Sequence, residues 1–203
     1  MTNNTEFFKT LSESINKAYM SDCQTKAVYD LKQEAIFILE ETAKKCMHAS
    51  NFKNTLRVWL TGSSINGFGN KNSDADMCLV TGMSTGENLN RKQIVNLLHQ
   101  MRRVLENERR FILKRSEVIP AKVPILRVFL QIDHSEVQCD VNVDNHIGIR
   151  NSWLLRCYSE LDDRIRPFIY MIKKFAKAAN LNDAQSGSMS TYSWLLLAGF
   201  RSK

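Results

Sequence analysis

Asp74 and Asp76 have the side-chain type and the spacing of a pair that could bind a metal ion or act in catalysis. They stand two residues apart in a strand-like segment, so both carboxylates project to one face, about 7 Å apart at the backbone. Two carboxylates this close repel each other unless a cation lies between them. Hard oxygen ligands suit Mg²⁺ or Mn²⁺. The pair therefore predicts a divalent metal site.

A third carboxylate comes from a later segment. Residues 136–143 alternate between apolar and polar side chains, which predicts a strand with Asp140 in the middle of its polar face. A site with two metal ions about 3.5–4 Å apart needs a carboxylate from a second element. We therefore expect Asp140 to be the third ligand and two Mg²⁺ or Mn²⁺ ions to be the cofactor.

A turn that could bind phosphate precedes the aspartates. Gly62 and Ser63 follow the β-prone segment 56–60, where backbone N–H groups and a hydroxyl can approach phosphate oxygens. Each feature alone is weak, because most Gly-Ser turns are only turns and most D-x-D pairs are solvated. The turn, the D-x-D pair and the lone aspartate together, in this order, are much more specific.

The elements that must position these residues are helices at both ends of the chain and strands in its centre. Apolar periodicity predicts helices at about 7–15, 27–46, 88–108, 153–161, 164–180 and 190–200. Strands are expected at 56–60, 76–80, 111–116, 125–132 and 136–143. The sequence thus favours the α+β class.

Composition excludes several other classes of protein. Of 203 residues, 43% are hydrophobic and 24% charged, which is typical of a globular domain. We expect no membrane partner, because no apolar run is long enough to span a bilayer and the first residues lack a signal peptide's pattern. The five scattered cysteines favour reduced thiols over structural zinc, in a cytoplasmic protein that could also enter the nucleus. The net charge of +7 favours a polyanionic partner.

A family resemblance rests on the segment from Leu60 to Val80, LTGSSINGFGNKNSDADMCLV. It resembles the signature of the DNA-polymerase-β-like nucleotidyltransferases, and among them most closely the cytoplasmic poly(A) polymerases of the germline-development type. The resemblance to terminal uridylyltransferases is more distant. Further matches lie at 121–127, 148–151, 166–167, 172–177, 181–183 and 190–192, so the resemblance extends from about residue 31 to residue 197.

The resemblance implies a fold, an activity and a partner. The fold is a nucleotidyltransferase fold, a mixed sheet with flanking helices, over residues 20–147, with residues 1–19 and 148–203 forming part of a helical central (PAP-associated) domain. The activity is that of a polynucleotide adenylyltransferase, which transfers AMP from ATP to an RNA 3′ hydroxyl without a template. Because the sequence shows no RNA-binding domain, an RNA-binding adaptor protein is the implied partner.

The resemblance also implies roles at the metal and the phosphates. Gly62 and Ser63 would hold the triphosphate. The two metal ions would be held by Asp74, Asp76 and Asp140. Asp140 would in addition help to activate the 3′ hydroxyl of the primer.

Five further residues match nucleotide contacts of the family. Asn151 matches the contact to the ribose 2′ hydroxyl. Lys173 and Lys177, four apart and so on one helix face, match the pair that binds the β- and γ-phosphates. Thr191 and Tyr192 match a hydroxyl contact and the ring that stacks on the base. Without the resemblance, the lysines could be solvent-exposed charges and the tyrosine a core residue.

Three alternatives stay open at the level of sequence. The residues expected to select the base lie beyond Lys203, so UTP could replace ATP as the substrate. The apolar final helix is expected to lie uncovered along residues 194–197, which is typical of a truncated, poorly active isoform that acts through protein binding. A small-molecule nucleotidyltransferase is disfavoured by the matches from Asn151 to Tyr192.

Overall fold

The computed structural model describes residues 2–47, 56–82, 89–109, 111–183 and 187–200. The helices are α1 (Thr2–Asp22), α2 (Lys26–Cys46), α3 (Arg91–Glu106), α4 (His146–Ser159), α5 (Ile165–Ala178) and α6 (Thr191–Phe200). The strands are β1 (Arg57–Leu60), β2 (Ala75–Val80), β3 (Ile112–Ile119), β4 (Ile125–Ile132) and β5 (Ser135–Val143). None of these helices has the length and apolar character needed to cross a membrane.

The five strands form one mixed sheet in the order β1-β2-β5-β4-β3. β2 and β5 are parallel, and the other neighbours are antiparallel. A parallel pair requires a crossover connection, which here consists of α3, β3 and β4. The predicted α+β class, with a mixed sheet and flanking helices, is confirmed.

Helices α2 and α3 cover one face of the sheet and enclose the larger apolar core. The strands supply alternate residues to this core, as the strict alternation of burial along β4 illustrates. The helices contribute Ala35, Leu39, Ala43, Leu97, Leu98, Met101 and Leu105, all nearly or fully buried. The opposite face of the sheet is thereby left for polar residues of the same strands.

Two boundaries differ from the sequence predictions in ways that matter for the site. Helix α4 begins at His146 rather than near residue 153, because the Asn145 side chain caps it by accepting a hydrogen bond from the Gly148 N–H (3.1 Å). Asn151 therefore lies within a helix. Asp74 lies immediately before β2 rather than on the strand. Residue 88 of the predicted helix 88–108 lies outside the described residues, as do residues 184–186 of the predicted helical domain.

Helices α4, α5 and α6 form a second, smaller apolar cluster. Its buried members are Phe68, Leu155, Ile165, Ile169, Leu195 and Ala198. The expectation that residues 194–197 lie uncovered is wrong for Leu195, which is 4% exposed because α6 packs against α5. Leu197 is 53% exposed, as expected.

The end of α1 contacts both α5 and the loop before β2. The Tyr19 and Tyr170 rings make an edge contact with centroids 5.9 Å apart. Asp22 Oδ2 accepts a hydrogen bond from the Tyr170 hydroxyl (3.1 Å) and pairs with Lys174 Nζ (2.8 Å). The Lys71 N–H donates to the Asp22 carbonyl oxygen (2.9 Å). These contacts fix α5 next to the segment that carries the aspartates.

Candidate active site

Asp76 and Asp140 lie side by side on the neighbouring parallel strands β2 and β5, where they are direct Cα partners. Their neighbours Ala75 and Cys139 are fully buried in the larger core. Since side chains alternate along a strand, the two aspartates project from the opposite face of the sheet. Asp74, just before β2, completes the group. The structure thus brings the three predicted aspartates to one end of the β2–β5 pair.

The Gly-Ser turn lies directly against Asp76. Residues Gly62–Ser64 form a single 3-10 turn after β1, and Gly62 has a φ of 59°, in the left-handed region. A Cβ atom at this position would lie 2.3 Å from Asp76 Oδ2. The Gly62 N–H donates a hydrogen bond to Ser152 Oγ on α4 (2.8 Å). Only glycine allows the turn to approach the carboxylate this closely.

The crowding of carboxylates alters the titration of Asp76. Burial, followed by the negative charges of Asp74 and Asp140, raises its pKa from the ordinary value of 3.8 to about 7. Lys32 and Arg127 oppose this rise. The group therefore holds more negative charge than its surroundings stabilise, which favours a bound cation.

Asp140 is held by an arginine to which the sequence analysis gave no role. Arg127 of β4 is the cross-strand partner of Asp140, and its Nε and Nη2 atoms donate to Oδ1 (2.8 Å) and Oδ2 (2.6 Å). This pairing raises the pKa of the guanidinium above its ordinary value. Strand order, which is not local in sequence, brings the two residues together.

The acidic residues fit a divalent ion by their chemistry. Among the described residues, no three His, Cys, Asp or Glu side chains are already arranged as a metal-binding group. Asp140 is oriented towards Arg127, but an ionised carboxylate has about four lone-pair sites and the arginine uses two of them. Asp74, Asp76 and Asp140 can therefore still accept Mg²⁺ or Mn²⁺.

The predicted nucleotide-binding residues line a cleft of about 770 Å³ together with two of the aspartates. Its lining includes Gly62, Ser63, Asp74, Asp76, Asn151, Lys173, Lys177, Thr191 and Tyr192. Asp140 does not line this cleft and is 8% exposed. Helices α4, α5 and α6 thus supply one wall, and the Gly-Ser turn with the segment around β2 supplies the other.

The two lysines of α5 that were predicted to bind phosphate have different surroundings. Lys173 is partly buried, and its Nζ donates to the Phe68 carbonyl oxygen (2.7 Å). Burial lowers the pKa of Lys173, while the charge of Asp74 raises it. Lys177, one turn further along, is exposed at the mouth of the cleft. Lys177 is therefore the more accessible cation for a phosphate group.

Comparison with known proteins agrees with this geometry. Residues 11–160 match the family of the central palm domain of mitochondrial-like poly(A) RNA polymerases. The chain belongs to this family. It is 41% identical over 142 residues to the poly(A) RNA polymerase GLD2-B of Xenopus laevis, an alignment that covers 70% of this chain and 27% of that relative. The chain thus spans about a quarter of the length of this relative.

Solved structures of a poly(A) polymerase complex and of a poly(U) polymerase have the same fold. The structure of the GLD-2/RNP-8 complex matches this palm-domain protein with a TM-score of 0.79 and 32% identity, covering 93% of this chain and 54% of that one. A structure of the Cid1 poly(U) polymerase matches with a TM-score of 0.73 and 23% identity, covering 93% and 55%. The second similarity extends to the fold alone.

We expect Gly62→Ala to destabilise the protein more than Gly187→Ala, and to disturb the metal site. Both glycines have a positive φ, but a Cβ at Gly187 would meet no atom within 4 Å. The control therefore reports backbone strain alone, about 1–2 kcal/mol, whereas Gly62→Ala adds overpacking of about 1–3 kcal/mol. Thermal unfolding and Mn²⁺ titration measure both effects. Equal unfolding temperatures and equal Mn²⁺ affinities would contradict the close approach to Asp76.

The metal-free protein is expected to lose stability as the pH rises towards 7. Asp76 stays protonated in the folded state up to about pH 7, whereas in the unfolded chain it ionises near its ordinary value of 3.8. Between these values the unfolded chain binds fewer protons, so its free energy falls relative to the folded state as the pH rises. Asp76→Asn removes this effect. At pH 8 in EDTA the variant should be more stable, by on the order of 4 kcal/mol. Denaturant unfolding at pH 5 and pH 8 tests this, and parallel pH profiles would contradict it.

Proposed function

We propose that this protein transfers AMP from ATP to the 3′ hydroxyl of an RNA. The observation that carries the proposal is the cleft, which has Asp74, Asp76 and the Gly-Ser turn on one wall and Asn151, Lys173, Lys177 and Tyr192 on the other. Membership of the poly(A) RNA polymerase palm family supports this proposal, as does the identity to GLD2-B.

In this proposal, Asp74, Asp76 and Asp140 hold two Mg²⁺ or Mn²⁺ ions. When bound, such ions stabilise the charge that develops on the α-phosphate and on the attacking and leaving oxygens. The residues of the chain would hold these ions in place. Because Asp76 and Asp140 belong to paired strands, their backbones are held rigidly, and Arg127 fixes the orientation of the Asp140 carboxylate. Asp140 would help to activate the primer's 3′ hydroxyl.

The triphosphate would lie between the turn and α5. Gly62 and Ser63 would place a backbone group and a hydroxyl next to phosphate oxygens. Lys177 and Lys173 would approach the β- and γ-phosphates from the opposite wall, where ammonium groups act as point charges. Holding the triphosphate and the acceptor in one orientation lowers the entropic part of the barrier.

The nucleoside would be bound by residues of α4 and α6. Asn151 lines the cleft from α4, where its amide could contact the ribose 2′ hydroxyl and so favour ribonucleotides. Thr191 and Tyr192, at the start of α6, would supply a hydroxyl contact and a ring for the base. Stacking on an aromatic ring contributes about 1–3 kcal/mol per base and tolerates different bases.

We further propose two functional units and an adaptor protein. Residues 20–147 would form the catalytic unit, and residues 1–19 and 148–203 would belong to a helical unit. The contacts of α1 with α5 through Tyr19 and Tyr170 support this division. The similarity to GLD-2, solved in complex with RNP-8, supports an adaptor that brings the RNA.

Primer extension tests the proposed reaction. A 5′-labelled oligoadenylate would be incubated with the protein, Mg²⁺ or Mn²⁺, and either ATP or UTP. We expect a ladder of products with ATP, and more than a 100-fold loss for Asp76→Asn. The control is Asp133→Asn in the β4–β5 turn, where a φ of 52° suits asparagine. Preferential extension with UTP would show that the protein transfers UMP rather than AMP. Unchanged extension by Asp76→Asn would overturn the metal assignment.

Lys177→Ala is expected to raise the KM for ATP about 10- to 150-fold and to change RNA binding much less. The reason is that the exposed ammonium at the cleft would pair with a triphosphate, and one such charged hydrogen bond contributes about 1.5–3 kcal/mol. The matched control is Lys92→Ala on α3, an exposed lysine of a helix that packs on the opposite face of the sheet. Steady-state kinetics with varied ATP and a separate RNA titration measure the two effects. Equal KM values for both variants would exclude Lys177 from the triphosphate site.

A further inference from the structure

Lys32 of α2 is a buried cation close to the aspartates. Its side chain is 1% exposed, and it belongs to the buried stripe of α2 together with Ala35, Leu39 and Ala43. Lysine is almost never fully buried unless it has partners, because its ammonium group loses its hydration. The partners of this ammonium therefore indicate what the residue does.

The ammonium of Lys32 donates three hydrogen bonds, all to uncharged oxygens. Its Nζ lies 2.9 Å from Gln24 Oε1, 3.0 Å from Ser64 Oγ and 3.1 Å from the carbonyl oxygen of Asp74. The Ser64 hydroxyl also donates to the Asp74 carbonyl (3.3 Å). Lys32 thus uses all three of its protons, and two of the bonds join the Gly-Ser turn to the main chain of Asp74.

Gln24 completes this network from the segment between α1 and α2. While its Oε1 accepts from Lys32, its Nε2 donates to the Ser64 carbonyl oxygen (3.1 Å). Its backbone N–H donates to the carbonyl of Gly69 (3.1 Å). Every polar atom of the Gln24 side chain is therefore directed at the turn or at Lys32.

Packing alone does not account for a lysine at this position. Burial lowers the pKa of Lys32, and the negative charges of Asp74 and Asp76 raise it. No salt bridge is formed by Lys32 among the described residues, so an apolar side chain of similar length would avoid the desolvation cost. What an apolar side chain cannot do is hold the turn and Asp74 at a fixed separation.

We propose that Lys32 is a positioning residue for the metal site: it fastens the Gly-Ser turn to the main chain of Asp74, and so fixes the place of the Asp74 and Asp76 carboxylates. This inference rests on the proposed function, because it assigns a metal-binding role to the aspartates. Lys32 is 1% exposed and does not line the cleft, so this role needs no contact with the substrate.

The sign of a change in Mn²⁺ affinity separates positioning from a purely electrostatic role. Lys32→Met removes a positive charge from the neighbourhood of the metal site. Because Lys32 also lowers the pKa of Asp76, the Mn²⁺ titrations are made at rising pH until the affinity no longer changes with pH. Under that condition, loss of the repulsion would tighten Mn²⁺ binding if charge were the main contribution. If positioning is the main contribution, the aspartates lose their fixed separation and Mn²⁺ binding weakens, by about 10- to 100-fold as for other residues that support metal ligands.

The experiment compares the unsubstituted protein with Lys32→Met and Leu39→Ala. Leu39 lies on the same stripe of α2, is fully buried, and belongs to the larger core, so its truncation lowers stability without touching the turn. Mn²⁺ binding is measured by electron paramagnetic resonance, thermal unfolding by calorimetry, and primer extension by kcat and KM. We expect both variants to unfold at lower temperature, but only Lys32→Met to weaken Mn²⁺ binding and to lower kcat at least 10-fold.

A second variant, Gln24→Met, keeps the Lys32 ammonium but removes two hydrogen bonds: the one from Lys32 to Gln24 and the one from Gln24 to the Ser64 carbonyl. It should weaken Mn²⁺ binding in the same direction by a smaller factor, and it serves as the test if Lys32→Met does not fold. Unchanged or tighter Mn²⁺ binding in these variants would overturn the proposal. If the unsubstituted protein binds Mn²⁺ but does not extend RNA, the proposed function fails while the Mn²⁺ comparison still decides the role of Lys32.

Discussion

The repulsion among three carboxylates at one end of the β2–β5 pair is the constraint on which the rest of the site depends. Asp76 and Asp140 are direct cross-strand partners, and Asp74 precedes β2 by one residue. Their mutual repulsion and the burial of Asp76 raise the pKa of that carboxyl to about 7. Such a group is stable only where cations surround it. The fold supplies some of that positive charge, and the proposed metal ions would supply the remainder.

The cations that face the aspartates come from three different elements. Arg127 of β4 binds both oxygens of Asp140, Lys32 of α2 binds the main chain of Asp74, and Lys173 of α5 approaches from across the cleft. Arg127 and Lys32 therefore connect a strand and a helix to the acidic group, whereas Lys173 acts on it through charge alone. Substituting one of them removes a charge and also loosens an element, so stability and metal affinity have to be measured separately.

The positions of the acidic residues in the sheet could be predicted from the sequence because they follow from local rules. A period of two along a strand puts Asp76 and Asp140 on the polar face, and the glycine at 62 is required by its left-handed backbone and by contact with Asp76. The start of α4 was missed because the signal is the cap at Asn145 rather than apolar periodicity. Lys32 was missed although it stands seven residues before Leu39 on the buried stripe, since a lysine in an amphipathic helix is normally assigned to solvent. The pairing of Arg127 with Asp140 depends on strand order, which no local pattern indicates.

The two apolar clusters differ greatly in size, and this difference gives the walls of the cleft unequal local stability. The aspartates rest on the sheet and its large core, whereas α4–α6 enclose a small cluster around Ile169 and Leu195. Helices with few buried apolar contacts open locally at a lower free energy than the global unfolding of the domain. A nucleotide that touches both walls would therefore suppress these local openings, and much of its effect would appear as slower amide hydrogen exchange in α4–α6. The wall formed by α4–α6 would therefore open at a lower free energy, while the sheet keeps the carboxylates at fixed positions.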